Sequence, residues 1–272
     1  MTKNTIPTKF YGVLHRSAAT TSQDRSFEEF RNVGFTTLDS GLSSAEIKEI
    51  AAAFNETHKE YIQEFGEERL LKLDEYYSIR ALLTKGGGIF LRLATNERLL
   101  KFVDRLIDGK YILNQQNGII NPPGHPYNQG AWHRDLPFQH YTSSAPLAVN
   151  ALFCIDDFTA ENGATFVLPA SHKAPEFPSE DYLRRYATQI EASAGSFLVL
   201  DAMLFHSGGF NNSQLPRRAV NHLYTIPFFR QQIDFSTLIS GKNLSEDHRK
   251  LLGLDDAPCR SIEEYLNKRL RK

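Results

Sequence analysis

The feature that most constrains this chain is a succession of short apolar runs between residues 111 and 230. Each run is only a few residues long, and turn signals such as Pro122-Pro123-Gly124 separate one run from the next. Strands of this length at this spacing predict an antiparallel sandwich or barrel. Strands do not alternate with helices here, so a parallel sheet is not predicted. The runs begin at Tyr111, Ile119, Leu147, Ala164, Ser196 and Ala219.

The part of the chain before residue 110 has helical periodicity instead. Ser43 and Glu46 have the spacing of a capping box, and apolar residues follow at helical intervals until Gly66. A short helix from Phe27 is predicted to stop at Gly34 before a first strand, and residues 89–108 are predicted to form one further helix. The glycines at 86–88 predict either a mobile lid or an ordinary surface loop.

These patterns predict one domain covering residues 1–272. It is expected to be mainly β, with a β core at about 110–230, an N-terminal helical part at about 27–108 and a C-terminal helix at about 260–270. The core is expected to be a double-sheet structure with the helices packed on its outside.

Composition excludes several classes of partner. The formal net charge is −1, which favours neither nucleic acid nor an anionic membrane. The two cysteines, Cys154 and Cys259, are isolated and lack the spacing of a zinc site. The N-terminal residues form no signal-like apolar segment, and no run approaches the ~20 apolar residues of a membrane span. We therefore expect a cytoplasmic protein that acts on a small molecule. The sequence does not predict its oligomeric state.

The candidate for chemistry is His133-Arg134-Asp135, within Gln129-Gly-Ala-Trp-His-Arg-Asp. On a strand, residues i and i+2 point to the same face, so His133 and Asp135 can reach one point. A second histidine, His206, follows a strand-like run and precedes a turn rich in glycine and asparagine. Two histidines and one carboxylate form the facial triad of non-haem Fe(II) oxygenases. An isolated H-x-D also arises by chance, as a surface pair or a hydrogen-bonded structural histidine.

The order of the motifs makes the pattern specific. After His133-x-Asp135 come Asn162-Gly, then Pro169-Ala-Ser-His, then Ala194-Gly-Ser, and then His206-Ser-Gly-Gly-Phe-Asn; an arginine, Arg217, stands eleven residues beyond His206. This order resembles the phytanoyl-CoA dioxygenase family of Fe(II)/2-oxoglutarate-dependent oxygenases over roughly residues 110–230. The family's usual P-G-S-H and A-G-D are altered here, which is typical of a divergent member.

The resemblance implies a fold and a set of roles. The fold is a double-stranded β-helix, also called a jelly roll, of the cupin-like type. His133, Asp135 and His206 would bind Fe(II), and Arg217 would bind the distal carboxylate of 2-oxoglutarate, which a planar guanidinium matches bidentately. Gln116 aligns with a glutamine that contacts 2-oxoglutarate in some relatives, but it fits a sheet-face glutamine equally well. Arg218 should point away from the site.

The implied activity is that of a dioxygenase which uses Fe(II), 2-oxoglutarate and O2. Halogenating relatives have a small residue in place of the carboxylate, so Asp135 favours hydroxylation of an unactivated C–H bond of a small-molecule metabolite. Two alternatives remain open at this point: a jelly-roll protein that binds a metal or ligand without catalysis, and a zinc-dependent hydrolase that uses the same three ligands. An arginine at the position of Arg217 favours the oxygenase.

The prime substrate is not predicted by the sequence. Its contacts are expected in the loops at 67–90, 136–146 and 230–260. Within and beside these loops Phe138, Gln139, Arg80 and Arg230 are the candidate substrate-binding residues, and packing roles are equally open for the first two.

Overall fold

The computed structural model of this protein describes residues 6–239, 244–254 and 257–270. Its helices are α1 (Ser22–Val33), α2 (Ser44–Phe65), α3 (Glu67–Lys72), α4 (Ile89–Ala94), α5 (Glu97–Leu106), α6 (Glu180–Tyr186), α7 (Phe235–Leu238), α8 (Glu246–Leu251) and α9 (Ile262–Leu270). Its strands are β1 (Phe35–Asp39), β2 (Ser78–Ile79), β3 (Ile112–Asn121), β4 (Ala148–Cys154), β5 (Phe166–Val167), β6 (Thr188–Gln189), β7 (Ser196–Asp201), β8 (His206–Ser207) and β9 (Arg217–Thr225).

The strands form two antiparallel sheets. The larger sheet has six strands in the order β1-β7-β4-β9-β3-β2, and the smaller sheet has three in the order β6-β5-β8. The two sheets pack face to face, because Val167 of the smaller sheet lies in one apolar cluster with Leu198 and Leu200 of the larger. The predicted fold, a jelly roll with flanking helices, is therefore confirmed. The sheet also recruits β1 and β2, which lie before the predicted β core.

Helices α1, α2, α4 and α5 cover the other face of the larger sheet. The α2 helix begins as predicted, since the backbone N–H of Glu46 donates to Ser43 Oγ and that of Ser43 donates to the Glu46 carboxylate. Its buried residues Ile50, Phe54 and Tyr61 recur at helical spacing. A Cβ on Gly118 of β3 would lie 2.7 Å from the Phe54 ring, so a glycine there lets α2 approach the sheet closely.

Two helix boundaries differ from the prediction. The first helix begins at Ser22 instead of Phe27, because Thr21 and Asp24 form a second capping box. The single helix predicted at 89–108 is two helices, α4 and α5. The break lies at Asn96, whose side chain caps α5 by accepting from the Leu99 N–H. The predicted C-terminal helix is present as α9.

Within the described residues, no helix has both the length and the apolar character that crossing a bilayer requires. The cytoplasmic location and the single-domain organisation of residues 1–272 stay predictions.

Candidate metal and co-substrate site

The segment that carries His133 and Asp135 is joined to β8 by backbone hydrogen bonds. The N–H of His133 donates to the His206 carbonyl at 3.0 Å, and the N–H of His206 donates back to the His133 carbonyl at 3.1 Å. Two residues after His133, the Asp135 N–H donates to the carbonyl of Ala202 at 3.0 Å. These backbone hydrogen bonds bring the three predicted ligands close together.

Both imidazole rings point the Nε2 atom into the space between the three ligands. His133 Nδ1 lies 2.7 Å from the Ala131 carbonyl and His206 Nδ1 lies 2.9 Å from the Leu204 carbonyl. A carbonyl only accepts, so each Nδ1 carries the proton and each Nε2 keeps its lone pair. One ligand atom from each of His133, Asp135 and His206 lies within 4.8 Å of the others. This donor set and spacing fit a divalent metal held on one side, with its remaining positions open.

The surroundings prepare these groups for a metal. Burial lowers the pKa of His206, against the opposing effect of the Asp135 carboxylate, which lies 3.8 Å from Nε2. A lowered pKa keeps the imidazole neutral, and the neutral form is the one that binds metal. Asn150 of β4 donates a hydrogen bond of 2.8 Å to Asp135 Oδ2 and fixes the carboxylate. The Asn150 Oδ1 atom is buried and has no partner among the described residues.

Arg217 lies at the start of β9, in the same cavity as the triad. The cavity is lined by both histidines, by Arg217 and by Asn150. The Arg217 side chain is buried, its guanidinium carbon lies 3.9 Å above the ring of Phe158, and one terminal nitrogen donates to the Tyr127 hydroxyl at 3.2 Å. Its Nε has no partner among the described residues. Burial lowers its pKa, but a guanidinium stays protonated at neutral pH.

The neighbouring arginine behaves as strand alternation predicts. Arg218 points away from the cavity and binds the Asp156 carboxylate bidentately, through Nε at 2.9 Å and a terminal nitrogen at 2.6 Å. Arg218 therefore has a carboxylate partner within the protein. Arg217 is a buried cation, and no carboxylate in the described part of the chain lies within hydrogen-bonding distance of it. An anionic ligand is the missing partner that this arrangement fits.

Gln116 is not brought to this cavity. Its residue pair across the sheet is His222, and both side chains face the helices; Gln116 Nε2 donates to the Phe90 carbonyl of α4 at 2.7 Å. The adjacent Asn117 pairs with Asn221, which lines the cavity. Successive residues of a strand point to opposite faces, so a difference of one residue determines whether a side chain faces the cavity or the helices. The structure therefore gives no support to a contact between Gln116 and 2-oxoglutarate.

The predicted substrate residues also lie outside the cavity lining. Arg80 is bound bidentately by Glu75, and Arg230 is exposed. Phe138 is 92% exposed with a left-handed φ of 63°, and Gln139 is half-buried beside it. Their role in substrate binding stays a prediction. Residues 240–243 and 255–256 of the predicted third loop lie outside the described residues.

Sequence reasoning missed the residues that support the triad and Arg217. Tyr127 and Asn150 are the clearest cases, and Thr165, Gln129 and Asn221 also line the cavity. The usable signal for Asn150 is a polar residue within the otherwise apolar strand Ala148–Cys154. Tyr127 had no such signal, because it follows a turn and its partner is ninety positions away.

The geometry defines a class: a jelly-roll protein with a His-Asp-His metal site and a buried arginine beside it. A family model confirms this assignment, since residues 30–219 match phytanoyl-CoA dioxygenase (PhyH). The chain belongs to the phytanoyl-CoA dioxygenase family. The cofactors of this family are Fe(II), 2-oxoglutarate and O2, and the donor set of His133, Asp135 and His206 fits the metal.

Similar sequences include a bacterial protein and a fungal enzyme. The uncharacterized protein Rv1501 of Mycobacterium tuberculosis is 32% identical over 253 residues, which cover 90% of this chain and 92% of the relative. The iron/alpha-ketoglutarate-dependent dioxygenase ausU of Aspergillus calidoustus is 41% identical over 101 residues, which cover 35% of this chain and 32% of that enzyme.

Solved structures share the fold at lower identity. EctD from S. alaskensis, in a crystal structure with 2-oxoglutarate and 5-hydroxyectoine, has a TM-score of 0.64 at 19% identity and covers 80% of each chain. The non-heme alpha-ketoglutarate-dependent epimerase SnoN from nogalamycin biosynthesis has a TM-score of 0.59 at 18% identity, covering 82% of this chain and 89% of its own.

Proposed function

We propose that this protein is an Fe(II)- and 2-oxoglutarate-dependent dioxygenase that hydroxylates an unactivated C–H bond of a small molecule. The observation that carries the proposal is Arg217, a buried cation with no carboxylate partner among the described residues, in the cavity of the His-Asp-His triad. A hydrolase or a non-catalytic binding protein would need the metal ligands but has no use for this arginine. A dicarboxylate co-substrate that reaches from the metal to the arginine would need both.

Each residue of the site then has a definable task. His133, Asp135 and His206 would hold the iron through one face, and the bound iron, with 2-oxoglutarate and O2, would supply the oxidising chemistry. Arg217 would hold the distal carboxylate of 2-oxoglutarate, and the buried setting would strengthen that attraction. Asn150 would keep Asp135 oriented, and Tyr127 would keep the guanidinium aimed into the cavity.

The presence of Asp135 supports hydroxylation over halogenation, because the carboxylate takes the position that a halide would need. The structural neighbours illustrate how widely the outcome can vary on one fold, since EctD was solved with a hydroxylated compound and SnoN is an epimerase.

The first test is an anaerobic titration of the metal-free protein with Fe(II) and 2-oxoglutarate. We expect the weak visible absorption band that Fe(II) gives when 2-oxoglutarate chelates it. His206→Ala should lose the band and weaken metal binding by two orders of magnitude or more, because one of three protein ligands is gone. Fe(II) binding without the band would favour the hydrolase, and no metal binding at all would favour the binding protein.

The second test separates the co-substrate from the metal. Arg217→Ala should weaken 2-oxoglutarate binding at least tenfold, since a hydrogen bond to a charged group contributes roughly 1.5–3 kcal/mol. Affinity for Fe(II) alone should stay within about twofold of the wild type. Arg218→Ala is the matched control: it removes the adjacent arginine, which points away from the cavity, and should leave 2-oxoglutarate affinity unchanged. Equal 2-oxoglutarate affinity in Arg217→Ala and the wild type would contradict the assignment.

A further inference from the structure

Arg134 lies between two metal ligands in the sequence, and no part of the proposed chemistry uses it. Its side chain points to the opposite side of the segment from His133 and Asp135 and is only 5% exposed. Its guanidinium carbon lies 3.8 Å above the ring of Phe205, the residue before the third ligand. A long cationic side chain is seldom buried this deeply without a specific reason.

Every N–H of the Arg134 guanidinium is donated to a backbone carbonyl. The Nε–H donates to Met203 at 2.7 Å, one terminal nitrogen donates to Pro175 at 3.0 Å and Gln139 at 3.3 Å, and the other donates to Ser171 at 3.1 Å and to Ala174. An arginine has five such donors, so its capacity is used completely and none of it goes to a carboxylate.

These five carbonyls belong to three separate segments. Met203 lies in the turn that leads to His206, and Gln139 lies in the loop that follows Asp135. Ser171, Ala174 and Pro175 lie in a connection that contributes no metal ligand. One side chain therefore fastens the segment of His133 and Asp135 to the segment of His206, from the side opposite the metal site.

The buried charge of Arg134 has an energetic cost, which argues for a specific role. A second cation buried behind a divalent metal site opposes metal binding, and no carboxylate within hydrogen-bonding distance compensates for it in the described part of the chain. The nearest compensation is the electrostatic attraction of Asp201, which lies on the same side and is 6% exposed. What arginine supplies here, and a lysine with three donors cannot, is a planar fork that satisfies five fixed acceptors at once.

We propose that Arg134 is a positioning residue of the metal centre, which sets the spacing of His133, Asp135 and His206 before the metal binds. The inference rests on the proposed metal site but not on 2-oxoglutarate. It predicts that loss of the fork weakens metal binding beyond any loss of overall stability.

The test compares Arg134→Lys and Arg134→Met with the wild type, using Co(II) as the probe metal. Two quantities are measured: the Co(II) dissociation constant with its visible d–d spectrum, and the thermal midpoint of the metal-free protein. We expect Co(II) affinity to fall about 10- to 100-fold in Arg134→Met, as for other groups that orient metal ligands, and less in Arg134→Lys. The d–d spectrum should change shape in both.

Arg218→Lys is the matched control, because it weakens another multiply bonded arginine on the far side of the sheet. It should lower the thermal midpoint and leave Co(II) affinity and spectrum unchanged. Folded Arg134 variants that bind Co(II) like the wild type would overturn the inference while leaving the proposed function intact. A wild-type protein that does not bind Co(II) would overturn both.

A measurement on the wild type needs no variant to fold. Hydrogen exchange followed by mass spectrometry, with and without Co(II), should show that the metal slows exchange in residues 171–175 as well as in the ligand segments. The segment carries no ligand, and Arg134 joins it to both ligand segments, whereas its other link, the hydrogen bond from the Phe205 N–H to Ser171 Oγ, reaches only the segment of His206. Protection confined to the ligand segments would overturn the inference.

Discussion

The two faces of the six-stranded sheet are both buried, yet they are built differently. The face toward the helices carries large apolar side chains such as Phe153, Phe197 and Tyr224, which belong to the main apolar cluster. The face toward the smaller sheet carries Asn150 and Arg217 around a cavity. The same strands supply both faces, because neighbouring residues alternate between them.

The comparison teaches that burial alone does not separate the core from the site. Phe197 is 0% exposed and Arg217 is 3% exposed, so both would count as core by exposure. What separates them is charge: polar atoms without partners in the described chain occur on both faces, but the cavity face also carries the buried guanidinium of Arg217. The helix face has its own polar exceptions, Gln116 and His222, and the latter allows a direct test.

The largest expected effect is a loss of folding stability when a buried ring on the helix face is removed. Phe197→Ala should lower the free energy of unfolding by about 3–5 kcal/mol, because a fully buried ring in contact with Phe153 leaves a cavity behind. Chemical denaturation of the metal-free protein measures it. Leu198→Ala, on the same strand but facing the smaller sheet, is the matched comparison, with a loss of about 2–4 kcal/mol. A loss below 1 kcal/mol for Phe197→Ala would contradict a filled core there.

A somewhat smaller effect should appear in the pH dependence of stability. Burial lowers the pKa of His222 to about 4, from an ordinary value of 6.5. The folded state then binds this proton less readily than the unfolded state, so its contribution to stability is lost as pH falls from 6.5 toward 4, at about 1.4 kcal/mol per pH unit. His222→Gln should flatten this part of the stability profile, measured by denaturant titration at several pH values. An equally steep profile in the variant would assign the slope to other groups.

The smallest expected effect is on 2-oxoglutarate affinity and comes from a residue of the cavity face. Tyr127→Phe removes the hydroxyl that accepts from Arg217, and 2-oxoglutarate affinity should fall about 3- to 10-fold, as expected for one hydrogen bond of roughly 1 kcal/mol. Calorimetric titration of the metal-loaded protein measures it. Tyr111→Phe is the matched control, since that hydroxyl donates to Asp104 outside the cavity. Equal losses in the two variants would mean that the Tyr127 hydroxyl has no special role.

Sequence reasoning reached the parts of the site that short-range rules govern. His133 and Asp135 follow from the i, i+2 spacing of an extended segment, although the structure has only an isolated bridge to His206 there and no strand. The start of α2 follows from a capping box at fixed spacing. Gln116 came from the resemblance and not from such a rule; its side chain lies on the helix face, while the adjacent Asn117 pairs with Asn221, which lines the cavity. Tyr127 and Arg134 act through partners far away in the chain, which no local pattern records.

The reciprocal backbone bonds between His133 and His206 have a consequence for how the protein acquires its metal. Because the peptide groups of two ligands are already paired, the ion does not have to draw distant segments together. Loading should then be a single bimolecular event whose rate rises in proportion to metal concentration, with little change in backbone circular dichroism.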